Sequence, residues 1–264
     1  MSLSRIAIVL ACAAVAGCAG GGGQSSGGPL KPMSTTTTGE ESPDRVRARV
    51  HTELAAGYFE LGNMSVALEE VKEALRSDAN YPPAHTVAGL IYGALKQDAL
   101  AEESFKRALQ GNPDDSYANH NYGEFLCQRK REDDGIRHFV AAARNPLYPD
   151  PHQSYANAGV CARRKGDMAG AENYFQTALK TRPNHPQALY NMADISFTRG
   201  DFQMTKAYLD RLTKVVQPTA EILWLGVRVE RRLGDRNSEA SYALQLRNRF
   251  PASKEARALA AGEN

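Results

Sequence analysis

Residues 88–113 read "AGLIYGALKQDALAEESFKRALQGNP", and residues 158–183 read "AGVCARRKGDMAGAENYFQTALKTRP". Both run from a small residue through a turn to an aromatic, an Ala-Leu pair and a closing proline. Aligned on that pair, Leu75, Leu109 and Leu179 lie 34 and then 70 residues apart. Seventy is two periods plus a short insertion. The segment 189–218, "LYNMADISFTRGDFQMTKAYLDRLTKVVQP", keeps the beat, with Leu209 one period after Phe175. Within "ALEEVKEAL" and "AEESFKRAL" apolar residues recur at i, i+3 and i+4, which predicts helices.

A helical repeat of this period resembles the tetratricopeptide repeat. The first helix of each unit carries a small residue where its partner crosses: Ala55, Gly89, Gly123, Gly159 and Ala193. The second carries Ala67, Ala101 and Ala171, then a larger residue at Val71, Phe105, Phe139, Phe175 and Leu209. Small residues let axes approach to roughly 8–10 Å. The turns "LGN" (61–63), "KQD" (96–98), "KGD" (165–167), "RGD" (199–201) and "LGD" (233–235) offer a C-cap glycine and an N-cap Asp or Asn. Six units follow, at about 45–80, 81–114, 115–149, 150–184, 185–218 and 219–251. "RNPLYPDP" (144–151) lengthens the third by two residues, and Glu239 makes the sixth degenerate. The expected fold is an all-α, right-handed tetratricopeptide superhelix of six helix-turn-helix repeats over 44–252, with 253–264 as a C-terminal tail.

Residues 1–17 read as a signal peptide. Arg5 precedes the apolar run "IAIVLACAAVA", which is too short to span a bilayer. "VAGC" (15–18) resembles a lipobox, with Cys18 as the lipidated thiol; an ordinary secretory signal is the alternative. Gly, Ser, Thr and Pro dominate 18–43, which reads as a flexible tether with a span of roughly 25–30 Å. Ala19 is not the Asp that retains enteric lipoproteins in the inner membrane, so the outer membrane, facing the periplasm, is the expected location. No later segment is apolar enough to cross a bilayer, so membrane attachment is expected through the lipid alone.

A lipobox, a tether and six such units, with "NYGEFLCQRK" (121–130) and "NAGVCARRKG" (157–166) in the third and fourth, resemble the type IV pilus biogenesis/stability lipoproteins, or tetratricopeptide pilotins. The resemblance implies a role in outer-membrane localisation or multimerisation of the pilus secretin and in pilus stability. The secretin and associated pilus assembly proteins are the implied partners. The alternative is an adaptor for cell-wall hydrolases or outer-membrane protein assembly.

Cys127 and Cys161 are one period apart on the first helices of adjacent units. In an exported chain this spacing allows a disulfide clamping units three and four. The insertion puts the two at different positions within their helices, and two buried free thiols are the alternative.

First helices line the concave face of this fold. By register, Arg49, Thr52, Phe59, Thr86, Leu90, Tyr117 and His120 face the groove, as do Glu124, Gln153, Arg163, Tyr190, Asp194 and Phe197. Such a mixed face suits a peptide segment with apolar anchors. A net charge of +2 gives no reason to expect nucleic acid. The sequence has no HExxH, CxxC, phosphate loop or nucleophile elbow, so no metal, cofactor or catalytic site is expected. His51 and His85 share a repeat position and are read as packing residues.

Overall fold

The computed structural model describes residues 41–263. The signal peptide, Cys18 and most of the tether lie outside them. Six helix pairs follow one another: α1 (Pro43–Glu60) with α2 (Met64–Ser77), α3 (Pro82–Ala94) with α4 (Asp98–Gly111), and α5 (Ser116–Gln128) with α6 (Glu132–Arg144). Then come α7 (Pro151–Lys165) with α8 (Met168–Thr181), α9 (Pro186–Arg199) with α10 (Phe202–Thr213), and α11 (Ala220–Leu233) with α12 (Arg236–Arg249). A short α13 (Lys254–Ala260) closes the series, so the segment read as a tail contains a helix.

Each pair is set by one large-to-small contact across sixteen residues. A Cβ added to Gly89 would meet the Phe105 ring at 2.8 Å, and one on Gly159 would meet Phe175 at 2.7 Å. In the third unit both crossing residues are glycine: a Cβ on Gly123 would lie 2.9 Å from the Gly135 carbonyl oxygen. Where the facing residue is aliphatic, Val71 or Leu209, the first helix carries alanine instead (Ala55, Ala193), and both alanines are fully buried. In the sixth unit the pair moves one residue earlier. Ala243 is too small for the wedge, so Tyr242 enters it against Gly226, whose added Cβ would come within 2.7 Å of the ring. The register slip, more than Glu239, makes that unit irregular; Glu239 itself takes Arg231 at 2.8 Å.

The turns follow the expected chemistry in part. Gly62, Gly166, Gly200 and Gly234 are left-handed, but Lys96 and Lys130 occupy the same conformation with φ of 58° and 61°. Their side chains reach solvent there, at the modest cost that a Cβ carries in this region. Asp167, Asp201 and Asp235 cap the helices that follow. Asn63 caps without a side-chain bond, and in "KQD" the cap position is Gln97, while Asp98 binds Arg129 at 2.7 Å.

Successive first helices touch: α1 with α3, α3 with α5, α5 with α7, α7 with α9, and α9 with α11. The second helices α2 to α12 touch only first helices and, at the end, α13, never each other. Close spacing on one side and splayed helices on the other curve the stack, with the first helices on the inner face. At the third junction the spacing of first helices grows to 36 residues, from Gly123 to Gly159. There α7 packs more extensively on α6 than any other first helix does on the second helix before it. The extra residues do not loosen the junction. Tyr148 turns inward, 8 % exposed, with its ring edge-on to Tyr117 at 5.4 Å. Asn145 accepts from the Leu147 backbone N–H at 2.9 Å and holds the turn.

Cys127 and Cys161 form a disulfide between α5 and α7, with Cα atoms 5.8 Å apart. Cys127 stands four residues beyond Gly123 and Cys161 two beyond Gly159. The two-residue insertion offsets this difference, so the separation remains one period while the helices shift.

Two outcomes follow from this packing. Gly159→Ala should lower the unfolding free energy by about 1–3 kcal/mol, the usual range for overpacking, whereas the same change at the open Gly57, where an added Cβ meets nothing within 4 Å, should not. Urea denaturation of the two variants measures the difference. Mass spectrometry of the unreduced protein should find two hydrogens fewer than in the reduced form. Reduction should also cost roughly 3–4 kcal/mol in the chain-entropy account of a loop this long.

Candidate functional site: the concave face

The thirteen groove residues predicted by register fall on α1, α3, α5, α7 and α9. At the N-terminal end Arg49 pairs with Glu41 and Glu53, both at 3.2 Å, and these hydrogen bonds hold its guanidinium above the ordinary range. Thr52 and Thr86 are buried rather than open to the groove. Their hydroxyls donate to the Ala48 and Pro82 carbonyl oxygens at 2.7 and 3.3 Å, a bond that a helical threonine makes to the preceding turn. Phe59 and Leu90 are half-buried, each resting on a core that its own unit shares with the next.

The middle is aromatic. Tyr117 packs on Tyr148, and His120 sits edge-on to Phe139 at 5.4 Å while its Nδ1 lies 2.7 Å from the Ser154 hydroxyl. Burial pulls the His120 pKa down to about 4 and pushes the Tyr148 hydroxyl up to about 12, so both are neutral near pH 7. These rings act as packing surface, not as acid or base. Burial also raises the carboxyl of Glu124, which accepts from Gln128 at 3.1 Å. Glu124 thus gives this face a half-buried carboxyl.

Between α7 and α9 the face becomes a polar ladder. Gln153 donates to Asn157 at 3.2 Å and to Gln187 at 3.5 Å. His185 accepts the Ala188 backbone N–H through Nδ1 at 3.3 Å, so its proton is on Nε2, which donates to Gln153 at 3.0 Å. Burial takes His185 down to about 4 as well. Arg163 spans to the next unit, binding Asp194 at 2.8 Å and Asn191 at 2.8 Å. Asn191 also donates to the Gln187 carbonyl at 2.8 Å.

At the C-terminal end Tyr190 and Asp194 line a cavity of about 380 Å³ together with Trp224, Arg228 and Lys254. Phe197 is buried, with the Arg228 guanidinium over its ring at 4.3 Å. Register reasoning stopped at α9 and missed this end. Trp224 and Arg228 stand 34 residues after Tyr190 and Asp194, so extending the period into the degenerate sixth unit would have found them. Lys254 lies on α13 and has no counterpart in the repeat.

His51 and His85 are structural. His51 Nδ1 lies 2.6 Å from Glu70, and His85 Nε2 lies 2.9 Å from the Ala79 carbonyl oxygen. Among the described residues no group of three or more His, Cys, Asp or Glu side chains could hold a metal ion. Among those residues, too, no helix is long and apolar enough to cross a membrane. The face carries apolar and polar patches in succession, suited to holding a chain segment at several points.

Comparison with known proteins agrees with this geometry. A family model of the tetratricopeptide repeat matches residues 52–116 and 131–186, and a second model of that repeat matches 162–223. The type IV pilus assembly protein PilF of Pseudomonas aeruginosa is 28 % identical over 225 residues, which is 83 % of this chain and 89 % of that protein. A solved PilF structure superposes with a TM-score of 0.77 at 26 % identity, covering 83 % of this chain and 99 % of that one. A crystal structure of PilW, a widely conserved type IV pilus biogenesis factor, superposes with a TM-score of 0.71 at 31 % identity, covering 80 % of this chain and 97 % of PilW. The likeness runs through all the repeats, and the chain belongs to the tetratricopeptide family of type IV pilus biogenesis proteins represented by PilF and PilW.

Proposed function

We propose that the protein is a lipid-anchored scaffold of type IV pilus biogenesis, one that assists the outer-membrane localisation and multimerisation of the pilus secretin and thereby keeps pili stable. The observation that carries this reading is the extent of the likeness to PilW, which covers 97 % of that chain at 31 % identity. Many unrelated proteins share single repeats of this kind; agreement across the whole stack is far more restrictive. The groove supports a protein partner, because aromatic rings on α5 are followed by a fixed polar ladder on α7 and α9, a mixed face that suits segment recognition. The lipobox ending at Cys18 supports the anchor, and Ala19 supports the outer membrane. The tether that follows would let the domain reach a partner away from the lipid surface. The scaffold works by holding proteins and performs no reaction.

A deletion strain tests the reading. Surface pili and heat-stable secretin multimers should both be lost and should return with the wild-type gene; normal pili and multimers in the deletion would refute it. Partners co-purifying as hydrolases or barrel-assembly proteins, without secretin, would favour the adaptor alternative. Cys18→Ser should abolish labelling with a fatty-acid analogue and release the protein from the outer-membrane fraction.

A further inference from the structure

The cavity at the C-terminal end of the groove has one cation that the described residues leave without an acceptor. Asp194 is taken by Arg163 at 2.8 Å, and the buried Glu255 faces Lys254 at 3.6 Å. Glu221 accepts from Thr219 and from its own helix N-terminus, which holds its carboxyl below the ordinary range. Arg228 differs. Its guanidinium stacks on Phe197 at 4.3 Å, its Nε is buried without a hydrogen-bond partner, and among the described residues no carboxylate pairs with it. Nε is shut off from solvent, so an arriving acceptor meets the Nη nitrogens, which no carboxylate among the described residues occupies. The planar fork matches a carboxylate, and the ring beneath fixes its plane in advance, so little side-chain freedom is lost on binding.

The same cavity exposes rigid apolar surface beside that fork. Trp224, the chain's one tryptophan, and Tyr190 both line it. Glu221 and Glu263 are exposed at its rim and would repel a second acid. We propose that the cavity seats a single glutamate or aspartate side chain of the protein partner in the Arg228 fork, with a neighbouring apolar side chain against Trp224. The segment so recognised is one isolated acid between apolar residues, not an acidic run. A basic occupant gains less, because Asp194 and Glu255 already have cations, Glu221 already has its donors, and Arg228 itself repels a second cation. The inference deepens the scaffold reading by giving the partner segment a chemistry.

Trp224 reports on the site directly. The full chain in detergent is titrated with the capped peptide acetyl-Gly-Ser-Leu-Glu-Leu-Ser-Gly-amide and with its Gln counterpart while tryptophan emission is followed. A saturable change is expected with the Glu peptide, with affinity at least ten-fold lower for the Gln peptide and for Arg228→Gln. Arg228→Lys should fall between, since it keeps the charge and loses the fork. A peptide with three consecutive Glu should bind more weakly than the single-Glu peptide. Equal binding of the Glu and Gln peptides, unchanged affinity in Arg228→Gln, or no saturable response to either peptide would overturn the assignment. If Arg228→Gln fails to fold by circular dichroism, the Glu/Gln comparison on the wild type decides alone. The titration contains no secretin, so its failure is separate from a failure of the deletion experiment.

Discussion

The contact between a small residue on a first helix and a larger one sixteen positions later holds the architecture together. It fixes how closely the two helices of a unit cross, and hence the shape of the wedge offered to the next unit. The chain keeps the summed size of each pair nearly constant. Gly89 and Gly159 face rings, Ala55 and Ala193 face aliphatic side chains, and in the sixth unit Gly226 meets Tyr242. Close-packed interiors tolerate neither a void nor an extra methyl, so the two positions must vary together. Burying each phenylalanine of this row also contributes roughly 1.5–3 kcal/mol.

The third junction shows what happens when the period is broken. Two extra residues would open a gap between units that otherwise stack at constant spacing. The gap is filled by Tyr148, and the shifted helices are joined by the Cys127–Cys161 disulfide. Tyr117, His120 and Tyr148 form one aromatic group there, so the insertion also changes the middle of the groove. A local irregularity thus acts on both stability and recognition surface.

The concave face draws its character from cross-unit bonds more than from any one residue. Arg163 reaching Asn191 and Asp194, and Gln153 reaching Gln187 and His185, hold side chains of one unit against the next. Polar groups committed in this way are pre-ordered and cost little to present to a partner. Arg228 is left with only its ring, at the point where α13 folds back over the last pair. A groove with a fixed wall and one cation without an acceptor among the described residues at its end suits the recognition of an extended segment.

By itself the sequence determined the period, the helix pairing and the crossing residues of the first five units, because these depend on spacing along a regular helix and each unit repeats the evidence. It also brought Cys127 and Cys161 within reach of one another as a possibility. The tertiary structure decided where regularity ends. It showed that Thr52 and Thr86 turn their hydroxyls inward, that lysines serve at two turns where glycine is the easier choice, and that Tyr242 replaces the expected wedge. It alone revealed α13 and the cavity holding Trp224, Arg228 and Lys254. Trp224 and Arg228 keep the period, but α13 and Lys254 meet them from outside the repeat, and a contact of that kind leaves no periodic trace in the chain.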